Sequence, residues 1–326
     1  PSALKFVHFP KNLKEAEEGR KRLAFNELLN LELKSRLRKE KWQKSKLAHK
    51  LRVNSSEIKQ FTDSLPFKLT VSQQKVIKEI LDDLGSTIPM NRLLEGDVGS
   101  GKTVVAAVAM FASFTNGLPS VIMAPTQIVA QQHYETFKEI FKKFNLRISL
   151  ITSSTKKVAI GRSDVIIGTH SLIQSKMNFE SVAFVVVDEQ HRFGVEQRQM
   201  LIKKSGVPHV LTMTATPIPR TIALTAYGDM DLSILSEMPK GRQKIATWVV
   251  SESKRGDAHK WIREKISTLG SQVFWGWPLI EDSDSETLQD VKSVTSEFLN
   301  LKSIFKNEKL GLLHGRLKAK EKEDVL

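Results

Sequence analysis

No cysteine occurs in the 326 residues. Disulfides and cysteine-based catalysis are therefore excluded, and the composition is compatible with a reducing compartment. No apolar run approaches the roughly 18–20 residues that a membrane-spanning helix needs. No basic, apolar, small-residue leader opens the sequence. The eight histidines show no zinc-type spacing. Together these absences lead us to expect a cytoplasmic protein with no membrane partner. The first residue is proline rather than methionine, and the first 52 residues cannot make a core by themselves. Further chain upstream is therefore expected.

Length allows two domains and a sizeable core. A hydrophobic content of 40% with 26% charged residues is ordinary for a globular protein. The net charge of +14 is unevenly spread. Residues 1–60 hold 16 Lys/Arg and 7 Asp/Glu, a net of +9, which leaves +5 for the other 266 residues. From Lys34 to Arg52 there are nine basic residues and one acidic residue, Glu40. Two readings of that run stand: a surface for a polyanion such as DNA, or a solvated helix face.

The densest motif is Gly96-Asp97-Val98-Gly99-Ser100-Gly101-Lys102-Thr103. It follows the apolar Leu93-Leu94 and precedes an Ala/Val-rich helical stretch. Gly-x4-Gly-Lys-Thr between a strand and a helix is a phosphate-binding loop. Its glycines let backbone N–H groups turn inward, and the helix N-terminus adds donors and a positive dipole end. Lys102 is placed to reach the outer phosphates and Thr103 to hold Mg2+.

Upstream, residues after Pro10 show helical spacing at Ala24, Leu28 and Leu31, then at Leu33 and Leu37. Past the turn at Ser64–Phe67, Thr70 and Gln73 have capping-box spacing at the start of a helix. Gln73 also suits adenine recognition, because its amide both donates and accepts. Phe67 suits stacking on the base. Downstream, apolar runs alternate with helical ones: 120–124, 147–152, 165–168, 183–187 and 209–213. That alternation predicts a parallel sheet covered on both faces, with chemistry at the carboxyl ends of its strands.

Four of these ends carry polar residues: Pro125-Thr126-Gln127, Gly168-Thr169-His170, Asp188-Glu189-Gln190-His191 and Thr214-Ala215-Thr216. Phosphoryl transfer needs Mg2+ against the phosphate oxygens and a group to orient water. Asp188 suits the metal and Glu189 the water. Gln190 and His191 suit sensing of the γ-phosphate, with an interior histidine as the other reading of His191. The hydroxyls and N–H groups at 125–127 and 168–170 suit either a phosphodiester backbone or ordinary helix capping. Thr214 and Thr216, with the extended Pro217-Ile218-Pro219-Arg220 exit, suit a link toward a domain interface. After a boundary near 237–242, three further strands (245–250, 272–280, 310–313) and two helices are expected, ending at His314-Gly315-Arg316.

As a set, these motifs resemble superfamily 2 helicases. More narrowly the chain is similar to the bacterial RecG family of ATP-dependent, branch-migrating DNA helicases. The narrower likeness lies in Asp188 through Arg198, Met213 through Thr221, Tyr227 through Asp231, and His314-Gly315-Arg316. The transcription-repair coupling translocase typically has Glu-Glu-His where this chain has Glu189-Gln190-His191. The resemblance implies an α/β architecture. A basic helical linker (1–62) leads to a RecA-like P-loop domain that binds ATP (63–236). The N-terminal part of a second RecA-like domain (237–326) follows. It also implies ATP and Mg2+ as ligands, branched or forked DNA as partner, a monomer, and roles in recombination and repair.

RecG proteins further carry an oligonucleotide-binding wedge domain and a Gln-x-x-Gly-Arg-x-Gly-Arg helix. The Gly-Arg pairs at 161–162, 241–242 and 315–316 lack the second Gly-Arg. An arginine finger is worth roughly 10³–10⁵ in rate. A chain without one is expected to bind Mg-ATP, to hydrolyse it slowly or not at all and to fail at unwinding, unless a separate chain supplies the missing half. The alternative is a truncated product that binds ATP and DNA with little turnover. A P-loop ATPase acting on proteins or small molecules predicts no basic DNA track.

Overall fold

Short apolar runs bounded by turns are the material of strands buried on both faces, and the sheet is built from them. The computed structural model describes residues 2–45, 47, 49–153, 156–157, 163–174, 181–189, 200, 205–216, 228–239, 245–277, 294–317, 321 and 324–325. Two compact units divide the chain, Pro1–Arg242 and Gln243–Leu326.

The first unit holds strands β1 (Asn91–Gly96), β2 (Ser120–Met123), β3 (Ile148–Ile151), β4 (Lys156–Lys157), β5 (Val165–Gly168), β6 (Phe184–Asp188), β7 (His209–Thr214) and β8 (Asp231–Leu235). They form one sheet in the order β4-β3-β5-β2-β6-β7-β1-β8. Seven strands run parallel and the short edge strand β4 runs antiparallel to β3. Every residue of β2, β5, β6 and β7 is buried. Successive side chains alternate between faces. Leu94, Ile122, Ile167, Val186 and Met213 face one core, built with α3 (Ser55–Asp63), α4 (Val71–Leu84), α5 (Lys102–Thr115) and α6 (Gln127–Ile140). Val121, Met123, Ile166, Val185 and Val187 face the other, with Leu172 of the short α7 (Ser171–Gln174). The expected parallel sheet is present, and its strands lie within two residues of their expected bounds. Strand β8 was not expected. It flanks β1 and pairs Leu235 with Gly96.

At the N-terminus, α1 (Ser2–His8) precedes α2 (Leu13–Gln43), whose cap Asn12 accepts the Glu15 N–H at 2.9 Å. The two helices meet at Gly19, where a Cβ would stand 2.8 Å from the Ala3 carbonyl oxygen. The far end of α2 is fastened to the sheet. Trp42 Nε1 donates to the Pro89 carbonyl at 2.8 Å, and Lys39 and Arg38 pair with Asp231 and Asp229 at 2.8 and 3.6 Å. Arg36 and Lys44 pair along the helix with Glu32 and Glu40. Four of the nine cations between Lys34 and Arg52 thus face protein carboxylates.

The second unit contains α8 (Arg255–Leu269), ended by Gly270 at φ +62°, and α9 (Val294–Ile304). Arg255 and the buried Glu297 join them through a 2.6 Å ion pair. Both expected helices are therefore seen. Among the described residues, 245–250, 272–277 and 310–313 form no ladder, against expectation, and 278–280 of the second expected strand lie outside the described residues. A parallel strand of this kind is defined by neighbours on both edges and cover on both faces. Ile245, Trp248 and Phe274 are instead exposed (78%, 78% and 91%). His314 and Arg316 sit at a turn closed by Leu317 N–H donating to the His314 carbonyl. Among the described residues no helix is long and apolar enough to cross a membrane.

His209, the first residue of β7, is fully buried; its Nδ1 accepts the Met90 N–H at 3.1 Å and its Nε2 has no partner. Burial pushes its pKa down to about 4. The folded state therefore keeps the ring neutral while the unfolded chain, near 6.5, takes up a proton as pH falls. Stability from this residue is complete above about pH 6.5. It declines by about 1.4 kcal/mol per pH unit as pH drops toward 4. Urea unfolding at pH 7, 6 and 5 should show this slope, and His209→Asn should flatten it. An equal slope in the variant would refute the assignment.

Candidate functional site

The strand ends converge as parity dictates. Asp188 ends β6 on the face shared by Phe184 and Val186, the face that α5 and α6 cover. β7 lies between β6 and β1, so the ends of β6 and β1 are about 10 Å apart, two inter-strand spacings. The loop 96–101 leaves β1 and enters α5 across that gap.

The loop's shape needs glycine. Gly99 and Gly101 have φ +80° and +89°, and a Cβ on Gly101 would lie 2.2 Å from Gln73 Nε2. Ser100 N–H donates to the Asp97 carbonyl at 3.1 Å, and Asp97 and Val98 form the exposed apex. Gln73 is 2% exposed and holds the loop from beneath. Its Nε2 donates to the Ser100 carbonyl at 2.8 Å and its Oε1 accepts the Thr70 N–H at 2.9 Å. Thr70 Oγ1 in turn accepts the Gln73 N–H at 3.1 Å, completing the capping box. The cap is thus present, and the same side chain also sets the loop. Phe67 is half-exposed and lines an open groove between α3 and α4 with Leu65, Pro66 and Ile77.

Lys102 opens α5. Its ammonium donates to the carbonyls of Gly96 (2.6 Å) and Asp97 (3.1 Å). Burial lowers its pKa, against the opposing fields of Glu189, Asp188 and Asp97. The first-turn N–H groups of Lys102 and Thr103 have no intrahelical acceptor. The Ser100 hydroxyl is buried without a partner. A cradle of inward donors with one cation at its mouth fits a polyphosphate.

Asp188 is 8% exposed, and its Oδ2 lies 2.7 Å from Nε2 of the equally buried His133 on α6. Glu189 follows in the left-handed region at φ +49°. That conformation costs roughly 1–2 kcal/mol for a residue with a Cβ. Its Oε1 accepts the Ala215 N–H at 3.3 Å, which ties the end of β6 to the end of β7. Thr214 is fully buried and its Oγ1 accepts the Thr216 N–H at 3.1 Å. Among the described residues no three His, Asp or Glu side chains form a metal cage. The Asp188 carboxylate at the end of β6 fits Mg2+, which is usually held by one or two protein groups plus phosphate oxygens and water.

The other strand ends lie on the same edge. Thr126 caps α6 by accepting the Val129 N–H at 3.3 Å, and Gln127 Nε2 donates to Ser153 Oγ. Gly168 ends β5 beside the Ile151 carbonyl, Thr169 is buried with its hydroxyl 3.2 Å from that of Ser171, and His170 is exposed. Gln190, His191 and Arg220 lie outside the described residues. One site residue was missed by sequence reasoning, His133. Its signal was its place between Ala130 and Phe137 on the buried stripe of α6, where a histidine needs a polar partner.

The family model for DEAD/DEAH box helicases matches residues 70–225. The chain is 42% identical over its whole length to the ATP-dependent DNA helicase RecG of Synechocystis sp. and 42% identical over 98% of its length to that of Thermotoga maritima. A solved structure of RecG bound to a three-way DNA junction superposes on 99% of the chain, with a TM-score of 0.80 and 37% identity. The chain belongs to the RecG family of helicases. It spans 40% and 42% of those two curated relatives and 43% of the solved RecG chain. Within the RecG likeness, the loop 96–103, Asp188-Glu189 and Thr214–Thr216 all fall inside the segment that the helicase model matches.

Gln73→Ala removes the donor to the Ser100 carbonyl and the acceptor for the Thr70 N–H. Urea unfolding should register a loss of roughly 2–3 kcal/mol, the cost of two buried groups left unpaired. A loss under about 0.5 kcal/mol would mean that the loop does not depend on this amide.

Proposed function

We propose that this chain carries the nucleotide-binding half of a RecG-type, ATP-dependent DNA motor. One observation carries the reading. Lys102 opens α5 with its ammonium on the Gly96 and Asp97 carbonyls, and Asp188 ends β6 on the face that α5 covers, although the loop and the carboxylate come from strands separated by β7. A phosphate cradle facing a metal-binding carboxylate and a base is the arrangement that hydrolysis of a γ-phosphate requires.

In this reading the N–H groups of residues 99–103 cradle the β- and γ-phosphates, and Lys102 moves from the Gly96 and Asp97 carbonyls to phosphate oxygens. Thr103 and Asp188 hold Mg2+, which when bound supplies charge neutralisation at the phosphates. Glu189 orients the attacking water and accepts its proton. Its bond to Ala215 N–H passes any shift of the carboxylate to the Thr214–Thr216 segment. Gln73 reads the adenine edge while holding the loop, and Phe67 is the platform for the base. Gln190 and His191 complete the γ-phosphate side.

Pro125-Thr126-Gln127 and Gly168-Thr169-His170 contact the DNA backbone from the ends of β2 and β5, with Arg220, His314 and Arg316 as further contacts. Support for 125–127 and 168–170 comes from their place on one sheet edge, and for DNA as the partner from the relative whose structure holds a three-way DNA junction; Arg220, His314 and Arg316 are assigned to DNA binding or coupling from the family likeness alone. Residues 1–62 act as a basic helical linker, 63–236 as the first motor domain and 237–326 as part of the second. Branched-DNA remodelling in recombination and repair in the cytoplasm, by a monomer, is the role that follows from the family.

The test is ATP turnover by the purified chain with forked DNA at low salt. We expect turnover that forked DNA stimulates, that falls steeply with added salt, and that Lys102→Ala abolishes. Turnover no greater than that of Lys102→Ala would contradict an enzyme and leave a module that binds nucleotide and DNA.

A further inference from the structure

Among the described residues, the Asp188–His133 contact is a buried polar pair at the site that the chemistry above does not use. Both side chains are about nine-tenths buried, and the 2.7 Å separation is that of a strong hydrogen bond. An ionised carboxylate can only accept, so His133 Nε2–H is the donor. The imidazole is itself fixed. It stacks on Phe137, with ring centroids 5.8 Å apart and planes 21° apart. Phe137 stacks on Phe141 at 5.8 Å, and Phe141 on Phe61 of α3 at 5.5 Å. Three aromatic rings from two helices and the turn after α6 therefore hold the donor in place.

Asp188 is the last residue of β6, paired in register with Met213, and its backbone is clamped by the sheet. The freedom that remains is rotation of the carboxyl group. The bond to His133 removes that freedom by engaging Oδ2, which leaves Oδ1 as the oxygen for a cation or its water. We propose that His133 is a positioning residue for Asp188: it presets the carboxylate for the Mg2+ that accompanies the nucleotide. This inference rests on the nucleotide reading of the site. It predicts that His133 governs how much Mg2+ the chain needs, and leaves metal-free contacts with the nucleotide alone. Groups that orient a metal ligand from behind usually alter metal affinity 10–100-fold when removed.

The experiment uses the full chain and a fluorescent ATP analogue, titrated with Mg2+ and, separately, in EDTA. His133→Phe keeps a ring against Phe137 and removes the donor. His133→Gln keeps an N–H donor at similar reach. The Mg2+ concentration for half-maximal binding should rise at least about tenfold in His133→Phe. In His133→Gln it should stay within about threefold of the wild type. Affinity in EDTA should be equal in all three chains. An unmoved Mg2+ requirement in His133→Phe overturns the proposal, as does an equal loss with and without metal. Should His133→Phe not fold, a tenfold shift in His133→Gln overturns it alone. Absence of Mg2+-dependent binding in the wild type would instead overturn the nucleotide reading on which the proposal stands.

Discussion

A parallel strand buried on both faces can offer chemistry only where it stops, and everything at this site follows from that constraint. β6 and β7 are wholly buried and β1 lies between two parallel neighbours. Polar side chains inside them would cost several kcal/mol each without partners. Apart from His209 and Thr212 of β7, polar side chains of β6 and β7 stand at the carboxyl edge, where Gly96, Asp188 and Thr214 end β1, β6 and β7. The period of two then decides the face. Asp188 shares its face with Val186, so it meets α5 and α6, the helices that carry Lys102 and His133.

Around that edge the fold tolerates several unfavourable local features. Glu189 has a positive φ, Ser100 buries an unpartnered hydroxyl, and Lys102 is partly desolvated. Each works against stability, and each is held by a neighbour that is firmly packed. Gln73 lies between the capping box and the loop, and His133 between the aromatic stack and Asp188. The chemistry thus depends on side chains one layer behind it. Both of those side chains are buried.

Much of this was legible in the residues. Runs such as Phe184-Val185-Val186-Val187 admit few conformations other than a buried strand, and Gly-x4-Gly-Lys-Thr constrains its own loop. Legibility failed where tertiary partners decide. Asp231-Leu232-Ser233-Ile234-Leu235 has no strong apolar pattern and becomes a strand because β1 offers an edge. Ile245–Val250 has the pattern and no ladder among the described residues, because no neighbouring strand pairs with it. His133 is one polar residue on an apolar stripe, and nothing local reveals that Asp188, 55 positions away, lies opposite. Of the two readings of Gln73, the cap is present, and the same amide has a role that the residues did not reveal, holding the loop through the Ser100 carbonyl. The basic run was part surface and part anchor, since Lys39 and Arg38 meet Asp231 and Asp229.

The central claim is that the loop 96–103 and Asp188-Glu189 form one nucleotide site. Its most direct test is a crystal structure of this chain with a non-hydrolysable ATP analogue and Mg2+. Phosphates should lie within hydrogen-bond reach of Lys102 Nζ and the N–H groups of residues 99–103. The metal should lie beside Thr103 and Asp188, with Gln73 still bonded to the Ser100 carbonyl. An analogue bound elsewhere, or Lys102 still held by the Gly96 and Asp97 carbonyls with phosphate present, would contradict it.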